Sequence, residues 1–154
     1  MLHSLKVMGV YTSPNGCMVL FQMTGKKPNI MTLELYPIIL ALEMWGSLWK
    51  NHFILFFTDN EALVVVINKQ TSQDNHIMKM VRCMVLRCLQ NYWTLLNAKH
   101  IPGKKNVFAD YLSRLQVEQF RQLATWAQVD PCLVPENFLP QNFWATLQYW
   151  LKRL

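Results

Sequence analysis

Acidic residues are scarce in this chain: nine Asp and Glu stand against fifteen Lys and Arg, and none occurs before Glu34. Any chemistry that needs a carboxylate must therefore draw on Glu34, Glu43, Asp59, Glu61, Asp74, Asp110, Glu118, Asp130 or Glu136. Long uncharged apolar runs are also missing; the most apolar stretch, residues 53–57, ends at Asp59, too short to span a bilayer. The N-terminus carries no charged leader followed by an apolar segment and a small-residue cleavage site, so an intracellular location, cytoplasmic or nuclear, is expected and a membrane partner is not. Cys17, Cys83, Cys88 and Cys132 fit no zinc-ligand spacing and read as free thiols. Internal repeats and low-complexity tracts are lacking too, which argues against a solenoid or a disordered linker protein.

What is present points to one packed domain. At 154 residues and 52% hydrophobic, the chain can bury a sizeable core. The net charge of +6 suits a polyanion partner, although charge alone selects none. Its distribution says more. Lys99, His100, Lys104, Lys105 and Arg114 surround Asp110 in sequence, and Lys79, Arg82 and Arg87 precede them.

Apolar, partly β-branched runs at 7–11 and 17–23 flank Ser13-Pro14-Asn15-Gly16 and predict two strands joined by a turn. A helix is expected from Thr32 as N-cap, with Leu35, Ile38 or Ile39, Leu42 and Trp45 or Trp49 on its core face. Pro37 is placed near its first turn, where proline is best tolerated. Residues 52–58 have the unbroken apolar pattern of a strand covered on both faces. Helices at 61–68 and 77–92, a strand at 93–100, a basic turn at 101–105 and a helix from Asn106 follow. Residues 115–127 can continue that helix, 130–140 read as a linker with three prolines, and 141–154 as a short amphipathic helix. The order predicts a mixed α/β domain, antiparallel in its first strands and parallel in its later ones, over residues 1–114, with 115–154 as a connecting tail.

Three carboxylates fall at element boundaries. Glu34 opens an apolar helix, Asp59 ends the most apolar strand, and Asp110 begins a helix after a basic loop. Sites in open α/β sheets form beyond the carboxyl ends of the strands, where such groups can converge. A carboxylate cluster suits Mg²⁺, a hard cation with a preference for oxygen. Asp59 and Asp110 equally suit helix capping, and Glu34 a favourable interaction with the helix dipole. Spacing alone leaves both readings open.

The stretches LELYPIILALEMWG, FFTDNEALVVVINKQTSQDNHIMKMVR and AKHIPGKKNVFADYLSRLQ, in that order, resemble the ribonuclease H domain of retrotransposon polyproteins. The similarity is greatest to DIRS-type elements, which carry a tyrosine recombinase, and it spans roughly residues 30–120 with a weaker match near 10–21. It implies a ribonuclease H-like mixed sheet flanked by helices and a two-metal site for Mg²⁺ or Mn²⁺ that hydrolyses the RNA strand of RNA–DNA hybrids. Glu34, Asp59 and Asp110 match the family's metal ligands. His100 stands ten residues before Asp110, where related cellular enzymes place a histidine that assists proton transfer or product release. Lys99, Lys104, Lys105 and Arg114 are then candidates for phosphate contacts, and Asn60 and Asn106 for sugar or phosphate hydrogen bonds. The resemblance also implies a reverse transcriptase upstream and a recombinase downstream, so the abrupt start at Met1 reads as that of a fragment.

One departure stands out. The family's first strand carries an aspartate in a Thr-Asp-Ala-Ser-Pro-x-Gly context, whereas the matching stretch here reads Tyr11-Thr12-Ser13-Pro14-Asn15-Gly16. That aspartate normally bridges both metals. The expectation is therefore a nuclease with impaired hydrolysis, with a non-catalytic nucleic-acid-binding relic as the alternative.

Overall fold

In a computed structural model of the chain, residues 5–10, 17–22, 29–91, 95–114, 116–127 and 133–153 are described. Elements β1 (Leu5–Val10), β2 (Cys17–Gln22), α1 (Ile30–Trp45), β3 (Phe53–Thr58), α2 (Glu61–Lys69), α3 (Asn75–Gln90), β4 (Leu95–His100), α4 (Val107–Ser113), α5 (Val117–Leu123) and α6 (Pro140–Leu151) follow in order. The protein is a mixed α/β chain, mostly helical. Its described strands form two two-stranded sheets, β1 antiparallel to β2 and β3 parallel to β4, where one mixed sheet was expected. The turn at Ser13–Gly16 lies outside the described residues. So do Trp93 at the start of the expected fourth strand, Leu115 and Leu154.

Contacts divide the chain into two compact units. The first comprises Met1–Lys26 and Lys104–Thr146. In it α4 packs along β1, and Leu112, Phe120 and Ala124 form a small core against Phe108, Tyr111 and Ala127. The Phe108 ring meets Phe120 edge-on at 6.1 Å and Trp126 at the same separation. Residues 116–127 do not continue the helix that starts after Asn106: α4 ends at Ser113, and Gln116, whose N–H donates to Tyr111 O, leads into α5. The break lets Leu112 and Phe120 face one another. Downstream, Thr146 Oγ1 donates to Asn137 O at 2.6 Å and ties α6 to the 3₁₀ turn Glu136–Phe138.

The second unit comprises Lys27–Gly103 and Leu147–Leu154. Helix α1 starts at Ile30 rather than after Thr32, because Asn29 is the N-cap and its side chain accepts from Met31 N. Pro37 consequently lies two turns inside the helix, not near its start, and the carbonyl of Leu33 lacks its usual amide partner. Packing holds the helix together there: Leu35, Ile39 and Ala41 are fully buried, and Leu40 and Leu42 nearly so. A helix buried on nearly all sides is hydrophobic all round. With its 3₁₀ extension it runs Ile30–Trp49, long and apolar enough to cross a membrane by length and composition; more than half of that window is buried inside the chain, as in a core helix.

The parallel pair β3–β4 needs a crossover of a dozen or more residues, which α2 and α3 supply. Asn60 caps α2 through Leu63 N, and Asp74 caps α3 through His76 N and Ile77 N. Helix α3 lies against α1 through Ile77, Met80, Val81 and Met84, and α2 covers β4 through Leu63, Val66 and Ile67. Asn68 fixes that second contact. Its amide donates to Ala98 O at 3.0 Å and accepts from Ala98 N at 2.7 Å, so it serves the strand backbone as a further strand would. Strand β3 is not covered on both faces: burial alternates along it, and Phe53, Leu55 and Phe57 are exposed.

Cys83 and Cys88 are free thiols that burial pushes up to about 11 and about 12, so both stay protonated and unreactive at neutral pH.

Candidate active site at the carboxyl ends of β3 and β4

Parallel pairing in register puts Thr58 beside His100, so both strands end at the same level. Ile101 N–H donates to Thr58 O at 2.9 Å and carries the pairing one residue further. Asp59 follows Thr58 directly and is exposed where the chain turns into α2.

The Thr58 hydroxyl organises this strand end. It accepts from Asn60 N–H at 3.2 Å and donates to Glu34 Oε2 at 3.4 Å, which ties the first turns of α1 to the end of β3. Glu34, Asp59, Asn60 and His100 line one open cleft of about 600 Å³, together with Ile30, Glu61 and Ala62. The loop after β4 passes close by. A Cβ built on Gly103 would stand 3.5 Å from Asp59 Oδ2, an ordinary contact, so the carboxylate lies against the backbone of this turn.

The structure thus brings together Glu34, Asp59, Asn60 and His100, four of the residues singled out from sequence. Lys99 is exposed next to His100. Glu61 was read only as a helix-start residue and adds a third carboxylate to the lining. Its adjacency to Asp59-Asn60 was the available signal, since a strand end that turns at once into a helix places the first helical residue at the same mouth.

The remaining candidates belong to the first unit. Asp110 sits in the first turn of α4, and its Oδ1 accepts from Arg114 Nε at 2.9 Å. This pair is solvent-exposed and contributes only about 0.3–0.5 kcal/mol. It occupies two groups that sequence reasoning gave separate tasks, Asp110 to metal and Arg114 to phosphate. Asn106 stands at the N-cap of α4 without a side-chain capping bond, and Lys104 and Lys105 are exposed in a 3₁₀ turn. Among the described residues no three His, Cys, Asp or Glu side chains gather tightly enough to form a metal-binding group.

Chemically, the cleft offers oxygen donors at an open mouth. Glu34, Asp59 and Glu61 contribute carboxylate oxygens to its lining, the hard donor type that Mg²⁺ prefers. The cleft offers neither thiolate nor a second imidazole to favour zinc. Comparison with models of known protein families, with curated proteins and with solved structures gives no match.

Proposed function

We propose that this chain is a retroelement-derived ribonuclease H-like domain that engages RNA–DNA hybrids and whose hydrolysis is impaired. The observation that carries the reading is the shared cleft of Glu34, Asp59 and His100 at the carboxyl ends of two parallel strands. A capping role alone does not account for it, because Asn60, not Asp59, caps α2.

Glu34 and Asp59 would hold Mg²⁺ or Mn²⁺, which when bound polarises a phosphodiester oxygen and activates water. Asn60 and Lys99 flank them for sugar and phosphate contacts, and Lys104 and Lys105 extend the basic set on the loop after His100. The impairment follows from composition. No Asp or Glu precedes Glu34, so the chain supplies no first-strand acid to bridge a second ion. Phosphate contacts and metal ligands are partly separate groups, so binding can persist where cutting does not.

A hybrid-cleavage assay in Mg²⁺ and in Mn²⁺, run beside a gel shift, tests this. We expect hybrid binding whose logarithm falls with log salt at a slope of roughly −2 to −3, as for about three phosphate contacts, and cleavage no faster than background. Robust cleavage that Asp59→Asn abolishes would overturn the impairment and restore the full nuclease. A salt-independent shift would remove the phosphate-contact model.

A further inference from the structure

A second cavity in the Lys27–Gly103, Leu147–Leu154 unit has a different character from the carboxylate cleft. It encloses about 260 Å³ between the end of α3 and the end of α6, and is lined by Leu86, Arg87, Gln90, Tyr149, Trp150 and Arg153. None of its lining residues is a carboxylate. Its volume is below the roughly 300–1,000 Å³ of clefts that take drug-sized ligands, which suits one planar ring rather than a whole cofactor.

The polar groups favour an anion with a flat face. Arg87 lies over the Trp150 ring at 3.4 Å, and Arg153 over Tyr149 at 4.5 Å. The charge of Arg87 is met by Glu43, whereas Arg153 is exposed and forms no ion pair among the described residues. Tyr149 is 53% exposed, so its ring is accessible. Arg87 Nε is buried and has no acceptor, so Arg87 forms the floor of the cavity rather than its accessible donor.

The approach to the cavity is also basic. Lys79, Arg82, Leu86 and Gln90 recur at spacings of three, four and four along α3, so they share one helix face. Lys79 and Arg82 are exposed on it, and Lys152 is exposed beside Arg153. A stripe of positive charge therefore leads to a pocket of paired arginines and aromatic rings. Proteins hold single strands without sequence preference in this way, through phosphate contacts along a basic track and stacking of bases on aromatic side chains.

We propose that this face, separate from the Glu34–Asp59 cleft, binds single-stranded nucleic acid, with Tyr149 and Arg153 receiving a base and its phosphate and Lys79 and Arg82 tracking the backbone. The site shares no residue with the hybrid cleft, so it stands or falls independently of the proposed nuclease ancestry.

The test is fluorescence anisotropy of the full chain with a labelled oligothymidylate of roughly twelve nucleotides, and in parallel with a labelled RNA–DNA hybrid. Tyr149→Ala is expected to weaken single-strand binding by at least about fivefold, as for loss of one stacking platform. Arg153→Gln is expected to lower the salt slope by about 0.7, one phosphate contact on a single strand. Hybrid affinity should stay within about twofold of wild type in both variants. Circular dichroism verifies that each is folded; both residues are exposed, and Arg153→Gln supplies a second route to the answer if Tyr149→Ala does not fold. Wild-type single-strand affinity in both folded variants would refute the site. Equal weakening of single strand and hybrid would refute it too, since a single-strand site must discriminate between them.

Discussion

Replacing Arg87 with methionine separates two views of the contact between α1, α3 and the end of α6. Arg87 reaches Glu43 Oε2 at 2.9 Å and Gln90 Oε1 at 2.9 Å and stacks on Trp150. The ion pair is neither exposed nor fully buried, with side chains 19% and 26% exposed, so about 1–2 kcal/mol is assigned to it, between the surface and interior limits. The Trp150 stack adds about 1 kcal/mol and the exposed Gln90 bond about 0.5 kcal/mol. Methionine keeps much of the aliphatic stem and removes the unsatisfied Nε, which offsets about 0.5 kcal/mol. The net loss is about 2–3 kcal/mol, a fall in melting temperature of about 5–10 °C for a chain of this length.

The pH dependence of that loss carries the sharper test. Burial raises the Glu43 carboxyl above the usual carboxylate range, and Arg87 partly counters it. Burial likewise lowers Arg87, countered by Glu43. A group raised in the folded state contributes stability that is fully present below its unfolded value and disappears as pH rises through its folded value. Without Arg87 the carboxyl is raised further. The penalty of Arg87→Met should therefore be largest in mildly alkaline solution and shrink as the solution is made acid and Glu43 takes up a proton. Adding Glu43→Gln should restore much of the loss in alkaline solution and little in acid. Thermal melts followed by far-ultraviolet circular dichroism read both. An equal drop at the two pH values, with no rescue by Glu43→Gln, would show that the pair does not act as drawn.

Other outcomes follow from single bonds. Asn68→Ala removes both hydrogen bonds to Ala98 and should destabilise by about 1–3 kcal/mol, with faster hydrogen exchange at the Ala98 amide; unchanged protection there would mean that α2 does not hold β4 through this side chain. Asp74→Ala uncaps α3 and should lower stability by about 1 kcal/mol, while Asp74→Asn, which can still cap, should lose much less. Urea unfolding distinguishes them, and equal losses would contradict the capping role.

Much of the fold was legible because local rules and long-range packing agree. Helices α2 and α3 begin where Asn60 and Asp74 supply caps, and both lie within two residues of their expected bounds. Agreement fails where a competing local signal exists. Thr32 is an acceptable cap, but Asn29 lies three residues earlier, and starting there buries Leu33 as well as Leu35 and Tyr36. Once α1 is buried on nearly every side, packing outweighs the proline that local rules would push to its first turn. The unbroken apolar run FILFFT carries no alternation, so its pattern could not reveal that only Ile54, Phe56 and Thr58 turn inward.

The two candidate sites differed in legibility for a physical reason. Thr58 and His100 end strands of equal length and Asp59 follows Thr58 directly, so a parallel crossover suffices to bring them to one end of the pair, and the strand–helix–strand order already announces such a crossover. The Arg87 cavity needs residues from α3 and from the end of α6, with Arg87 itself held by Glu43 of α1, and no spacing rule connects them. A signal for part of it was nonetheless present. Glu43 is the only charge in the second half of an apolar helix, and Arg87 stands alone between Leu86 and Cys88 on another. A charge on a helix face that must be buried needs an opposite charge, and neither has one three or four residues away on its own helix. Glu43 thus calls for a cation on the helix packed against it, and of the Lys and Arg side chains on α3, Lys79 and Arg82 are exposed while Arg87 meets it. That inference fixes the contact between α1 and α3, and with it the floor on which Trp150 stacks.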